Sequence, residues 1–265
     1  MALAVLVGTC GFSYADWTGV FYPIGIDRAA MLSYYARHFP AVELDYTYYA
    51  MPAARTLAAM AARTPAEFLF CVKAYRDMTH RGDLPAGELA RLGDQFRKAL
   101  DPLTSRGRLG CVLVQYPWSF KPSGRSLEAI LEIESALADL PVVVEFRNVE
   151  WIKKETFLFL HEQGLGFCAV DEPRLPGLLP PLALATSEIG YLRFHGRNAA
   201  KWWNHAESAE RYSYDYSDEE LAEWVPKILE LGGKTKRTFV MLNNHHMGFA
   251  VRNALRLQSM LAGLE

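Results

Sequence analysis

Short apolar runs punctuate the chain at intervals that leave room for one helix each, the mark of repeated βα units laid on a parallel sheet. Eight strands are expected: Ala4 to Gly8, Ala41 to Asp45, Phe68 to Ala74, Gly110 to Tyr116, Val142 to Phe146, Gly164 to Val170, Tyr191 to His195 and Thr238 to Asn243. Most are hydrophobic almost throughout, as when both faces of a strand are covered. Between them, helical patterns span Arg28 to His38, Ala53 to Arg63, Glu88 to Leu100, Leu127 to Ala138, Lys153 to Gln163, Asp218 to Leu231 and Phe249 to Leu261. The sixth interval breaks the rhythm, because Pro173, Pro176, Pro180 and Pro181 forbid a helix directly after the sixth strand and predict a long loop or short turns. Ser217 is placed to cap the helix from Asp218, with Glu220 closing a capping box.

No Gly/Ser linker, charge block or composition shift divides the sequence. Eight strand–helix alternations in one such chain predict an α/β protein built as a single (β/α)8 TIM barrel over residues 1–265, with a doubly wound open sheet as the alternative.

In such a barrel the polar residues at the C-terminal strand ends face the mouth where catalytic groups gather. The second run ends in Glu43 and Asp45, and the third in Lys73, with Arg76 and His80 beyond. The fourth ends in Gln115, the fifth in Glu145 and Arg147, the sixth in Asp171 and Glu172, the seventh in Arg193 and His195, and the eighth in Asn243 and Asn244. A period of two puts Glu43 with Asp45, Glu145 with Arg147, and Arg193 with His195 on common faces. Burying such groups at the end of an apolar strand is costly unless they are paired or used, so the reading divides between an ion-pair lattice and a reactive cavity.

Two further segments could hold ligand. After His195, a polar loop carries Arg197, Lys201, Trp202, Trp203, Tyr212, Tyr214 and Tyr216, suited to a lid or to stacking on a sugar or base, or else to packing over the barrel rim. The turn Asn243-Asn244-His245-His246-Met247-Gly248 opens the last helix, where free backbone N–H groups can hold an anion.

Composition narrows the picture. The 265 residues are 51% hydrophobic and 22% charged, which excludes a disordered or fibrous chain and permits a sizeable core. A formal net charge of -2 gives no overall positive field, which argues against non-specific binding to nucleic acid or acidic membranes. The N-terminal Met1 to Val7 has no basic region and no apolar stretch long enough to span a bilayer, so a soluble cytoplasmic protein without a membrane partner is expected. Cys10, Cys71, Cys111 and Cys168 form no C-x-x-C pair and read as reduced core thiols, Cys10 alone reaching a strand end where a nucleophile would sit.

Glu43, Glu145, Asp171, His195 and His245 are residue types that bind metals, but no H-x-x-x-H or H-E-x-x-H spacing occurs. No cofactor is therefore expected, a divalent metal being the alternative. The constellation predicts an enzyme for a small anionic or phosphorylated substrate, sugar-containing in one version. Glu145 or Glu43 would act as base, His195 as the paired acid/base, and Asp171 as a further carboxylate. Lys73, Arg76, His80, Gln115, Arg147, Arg193, Arg197, Trp202, Asn243 and Asn244 would bind the substrate. A nucleic-acid-binding or nuclease-like barrel is the alternative, and a glycosidase with two working carboxylates is a third form of the chemistry.

Taken in order, the strand-end motifs resemble those of the YecE-like family, the domain of unknown function seventy-two. They are Gly8-Thr9-Cys10-Gly11-Phe12-Ser13-Tyr14 with Trp17 and Phe21-Tyr22-Pro23, and Glu43-Leu44-Asp45-Tyr46-Thr47-Tyr48-Tyr49 with Pro52. Lys73-Ala74, Arg76 and Thr79-His80 follow, then Gln115-Tyr116-Pro117 with Ser119-Phe120, and Glu145-Phe146-Arg147 with Trp151. Arg193-Phe194-His195-Gly196-Arg197, then Asn243-Asn244 with Gly248 and Asn253-Ala254, complete the set. The resemblance implies a single (β/α)8 barrel from a family without an established activity, likened at fold level to zinc-dependent apurinic endonucleases and sugar isomerases. The chain departs from that pattern at Cys10, where Ser is usual, Asp45 for Asn, Ala50 for Arg and Asn148 for His. The first departure counts against a cysteine nucleophile common to the family.

Overall fold

The computed structural model describes residues 5–80, 84–85 and 87–263. Ala4, where the first strand is expected to begin, lies outside them.

The eight apolar runs form eight strands: β1 (Val5–Cys10), β2 (Ala41–Leu44), β3 (Leu69–Lys73), β4 (Leu109–Gln115), β5 (Val142–Glu145), β6 (Gly166–Asp171), β7 (Ile189–Phe194) and β8 (Arg237–Leu242). Each pairs in parallel with the next, and β1 closes on β8, so the sheet is a closed (β/α)8 barrel rather than the open alternative. β2, β5 and β6 are buried along their whole length, which is why they carry no hydrophobic–polar alternation.

Helices Ala54–Ala62, Glu88–Thr104, Gly124–Ala136, Lys154–Glu162 and Phe249–Ala262 pack outside, close to the expected spans. The first helical interval is shorter than its periodicity suggests, a 3₁₀ turn Arg28–Ala30 leading into Met31–Tyr35. The helix expected from Asp218 to Leu231 is two helices, Asp218–Ala222 and Val225–Gly232. The break falls at Glu223 and Trp224, just before Pro226, which has no N–H to continue the ladder and sits in the first turn of the second helix. The Ser217 and Glu220 capping box is present, each side chain accepting from the other's backbone N–H. The proline-rich stretch after β6 contains no helix among its described residues.

At the C-terminal end the strands run into short turns of helix that periodicity does not show: Ala15–Trp17, Tyr46–Tyr49, Arg76–Thr79, Val149–Trp151 and Ala199–Trp202. They cover the mouth's rim and bury Trp17, Trp151 and Trp202. Among the described residues, no helix is long and apolar enough to cross a membrane.

Candidate functional site

Arg193, on β7, projects into the barrel and is buried at its axis. Its Nη1 donates to Glu145 Oε2 at 2.8 Å, and its Nη2 donates to Glu43 Oε1 at 2.6 Å and Asp45 Oδ1 at 3.4 Å, with Cys10 Sγ at 3.5 Å. Two residues earlier on the same face, the Tyr191 hydroxyl donates to Glu43 Oε2 at 2.7 Å. Period-two alternation therefore holds on β2, β5 and β7. Glu145 also pairs with Arg147 Nε, and its Oε1 lies 3.2 Å from His195 Nε2. Asn243 Nδ2, which can only donate, lies 2.9 Å from His195 Nδ1. The ring therefore accepts at Nδ1 and carries its proton on Nε2, pointing at Glu145.

This network fixes the protonation states. Burial pushes Glu43 up to about 7 despite the pull of Arg193, and neighbouring Asp45 adds to the rise. Asp45 moves the opposite way: burial opposes its ionisation, but Arg193 and Lys73 together hold it below the ordinary carboxylate value. The two carboxyls thus share one proton, which resides on Glu43. Burial opposes ionisation of Glu145 as well, yet Arg147, Arg193 and His195 hold it well below its ordinary value. Burial, reinforced by Arg147, lowers His195 to about 3, so the ring is neutral. Burial raises the Cys10 thiol well above its usual range, and Glu43 adds to this, so no thiolate nucleophile stands there.

Lys73 sits at the end of β3 with its Nζ 4.5 Å above the Tyr48 ring, and among the described residues it makes no ion pair. His80 meets the edge of the Tyr48 ring at the rim. Desolvation, with Lys73 and Arg147 facing it, lowers it to about 4. Arg147 is 11% exposed and completes the cationic side of the mouth. Gln115 lies beside Glu145 in the sheet register and gives its amide to the Tyr116 carbonyl at 2.7 Å.

Five residues expected at the mouth are placed elsewhere or otherwise engaged. Asp171 is corrected first: Cys168 points inward, its Sγ 3.8 Å from Glu145, so alternation along β6 turns Val170 and Glu172 inward and Asp171 outward. Asp171 accepts from Tyr216 Oη and Trp224 Nε1, each at 2.7 Å, and from Arg197 Nε and Nη2 at 2.9 and 2.8 Å. Arg197 is spent on that contact and on Glu220 and Glu223. Trp202 is buried under the rim, where its ring meets Arg211, while its neighbour Trp203 is the exposed indole. Asn244 donates to the Tyr214 carbonyl and to Asn253, bracing the loop rather than facing a ligand. Arg76 is exposed, 3.6 Å from Asp77.

Other residues enter to which the sequence reading assigns no catalytic or binding role of their own. Asp45 is the quarter-exposed member of the carboxyl pair. Glu172 is buried, with Oε1 accepting from the Leu179 N–H and Oε2 lying 3.8 Å from Arg147 Nη1. Burial raises Glu172 to about 7 against the pull of Arg147. Tyr212 reaches over the mouth, its ring 6.0 Å from His195 and 6.3 Å from His245. Glu172 takes its inward direction from the phase of Cys168, which only the structure reveals, and Tyr212 is one of several aromatics of the loop after His195, among which the sequence does not single it out.

For a metal, Cys10, Glu43 and Asp45 offer donor atoms within 4.8 Å of one another. All three converge on Arg193 Nη2, so a metal ion there would have to displace the guanidinium. The expected ligand set does not assemble, since Asp171 faces outward.

The fold and site define a (β/α)8 barrel whose mouth is floored by a buried carboxylate–guanidinium lattice. The model of the family described as "Protein of unknown function DUF72" matches residues 6–264, and the chain belongs to that family. It is similar to the UPF0759 protein YunF of Bacillus subtilis (strain 168), at 32% identity over 97% of this chain and 94% of that one. Among solved structures, it is similar to a DUF72 family protein from Thermotoga maritima MSB8, with TM-score 0.89 and 38% identity over 98% of this chain and 99% of that one. A DUF72 family protein from Enterococcus faecalis V583 superposes with TM-score 0.88 at 29% identity, covering 97% and 95% of the two chains.

Proposed function

We propose that the protein is an enzyme that binds a small anionic substrate in the barrel mouth and moves a proton on it with the Glu43–Asp45 pair. The observation that carries this reading is Lys73, held over the Tyr48 ring with no ion pair among the described residues and facing His80 together with the partly exposed Arg147. With protons on Glu43 and Glu172, the ionised carboxylates of the floor are Asp45 and Glu145, facing Lys73, Arg147 and Arg193. Below about pH 7, where both of these protons are held, the surplus is one positive charge at the open side, where an anion supplies the missing partner.

In this scheme Asp45 is the base that the substrate meets, being ionised and reachable from solvent. Glu43 behind it stores a proton near neutral pH, so the pair can accept a proton and return one without titrating the rest of the floor. His195 and Glu145 hold Arg193 and Arg147 in place and are positioning residues. This revises the expectation that His195 is the acid/base partner, since both its ring nitrogens are engaged and it has no access to solvent. A small anion fits better than an extended nucleic acid, because Arg147 and Arg193 lie sunk among carboxylates rather than in a solvent-facing stripe.

Titration with inorganic phosphate, followed by thermal unfolding at fixed ionic strength, tests the reading. The melting temperature should rise with phosphate, by an amount corresponding to about 2.7 kcal/mol at a hundredfold excess over Kd. Lys73→Met should weaken that binding roughly tenfold or more, as expected for losing a charge-assisted contact. A melting temperature indifferent to phosphate, or a response the variant retains in full, would contradict it.

A further inference from the structure

Exposed aromatic side chains gather on the loops at the mouth end. Tyr46 and Tyr49 follow β2, Trp118 follows β4 and Trp203 follows β7. Trp118 and Trp203 meet edge to face, with ring centroids 5.8 Å apart and planes at 74°, leaving indole surface 41% and 52% exposed. Solvating that much indole is unfavourable, and Trp118 is not loosely held. Trp118 Nε1 donates to the Gly177 carbonyl at 3.2 Å, and Asn148 Nδ2 donates to the Trp118 carbonyl at 3.1 Å. Asn148 directly follows Arg147, so one segment carries both the cation of the floor and the clamp on the indole. Beside Trp118, half-exposed Lys121 and Glu150 pair at 2.7 Å, with the Lys121 Nζ 5.8 Å from the indole ring.

We propose that Trp118, Trp203 and the Lys121–Glu150 pair form a subsite for a saccharide ring, the ring carrying the anionic group bound by Lys73 and Arg147. The inference rests on the anion reading above and names its substrate class. Two indoles near a right angle make a notch with one face and one edge, which suits a thick, puckered ring with C–H faces better than a flat base needing parallel walls. The lysine and glutamate supply a donor and an acceptor side by side, the pair that adjacent hydroxyls require. The arrangement follows the common plan of ligand sites, mostly apolar walls with a few fixed polar groups.

The test measures Kd by tryptophan fluorescence and calorimetry for inorganic phosphate, glucose 6-phosphate, methyl glucoside and adenosine monophosphate, on the wild type, Trp203→Ala and Trp203→Phe. Because Trp203 is exposed, both variants should keep the wild-type circular dichroism melt. Glucose 6-phosphate should bind about tenfold more tightly than phosphate. Trp203→Ala should remove that advantage while leaving phosphate affinity unchanged, and Trp203→Phe should restore part of it. Equal affinity for phosphate and glucose 6-phosphate, or an advantage indifferent to Trp203→Ala, overturns the subsite and leaves the anion reading standing. Methyl glucoside binding that depends on Trp203, with no response to either phosphate compound, overturns the anion reading and with it the assignment of a ring that carries the anionic group. Trp203-dependent preference for adenosine monophosphate over glucose 6-phosphate overturns the saccharide assignment, and binding of none of the four overturns both.

Discussion

Arg193→Met is expected to destabilise the protein by about 3–5 kcal/mol, the usual cost of removing one partner from a buried ion pair. The guanidinium is the cation that Glu43, Glu145 and Asp45 share, and both its Nη atoms are committed to them. Methionine fills similar volume, so the loss is electrostatic rather than a cavity. Urea denaturation should show a lower midpoint with little change in slope. Adding Asp45→Asn and Glu145→Gln should recover part of the loss, because these are the ionised carboxylates that lose Arg193. A variant as stable as the wild type would mean that solvent already screens these carboxylates.

The second large effect is expected outside the mouth. Asp171→Ala takes the bidentate acceptor from Arg197, leaving it only Glu220 and Glu223, and strands the buried Trp224 indole N–H and the buried Tyr216 O–H, and should also cost about 3–5 kcal/mol. The folded variant should still bind phosphate as the wild type does, since Asp171 faces away from Lys73 and Arg147. Lost phosphate binding with unchanged stability would return Asp171 to the site. The Tyr216 hydroxyl also accepts from the Gly196 N–H at 2.9 Å, so the network braces the start of the loop after β7.

Asp171 and Glu172 also show where sequence stops informing structure. Eight apolar runs suffice to set the barrel, because a strand covered on both faces must be apolar and must be followed by something that covers it. The same apolarity erases the phase: β6 is buried from Gly166 to Asp171, so no polar position tells which of two successive acids points inward. On β5 and β7 the paired ends Glu145 with Arg147, and Arg193 with His195, supply that phase, and the inward lattice is readable there. Trp202 and Trp203 pose the same ambiguity on a helix of four residues, too short for any periodicity. The pairing of Arg197 with Asp171 joins β6 to the loop after β7 across 26 residues, and nothing local marks it. Two of the cations expected to bind substrate are otherwise engaged, Arg197 being committed to Asp171 and Arg76 lying exposed beside Asp77. The near-neutral titration of Glu43 depends on burial against residues of other strands.

That titration has consequences for stability. Glu43 and Glu172 sit at about 7 in the folded chain against an ordinary 4.5, so the folded state holds protons that the unfolded chain releases. Their contribution is full below pH 4.5 and is lost as pH rises through about 7. His195, lowered to about 3 from 6.5, works in the other direction, its contribution being lost as pH falls from 6.5 towards 3. Glu43→Gln should therefore flatten the loss of stability between pH 4.5 and 7 that the wild type shows.

The shared proton of Glu43 and Asp45 can be observed directly by following ¹³C-labelled side-chain carboxyl resonances through a pH titration, assigned with Glu43→Gln and Asp45→Asn. A Glu43 signal that titrates near 7, with Asp45 ionised from below its ordinary 3.8, is the predicted result. A Glu43 signal that titrates near 4.5, or a proton that resides on Asp45 at neutral pH, would contradict the account.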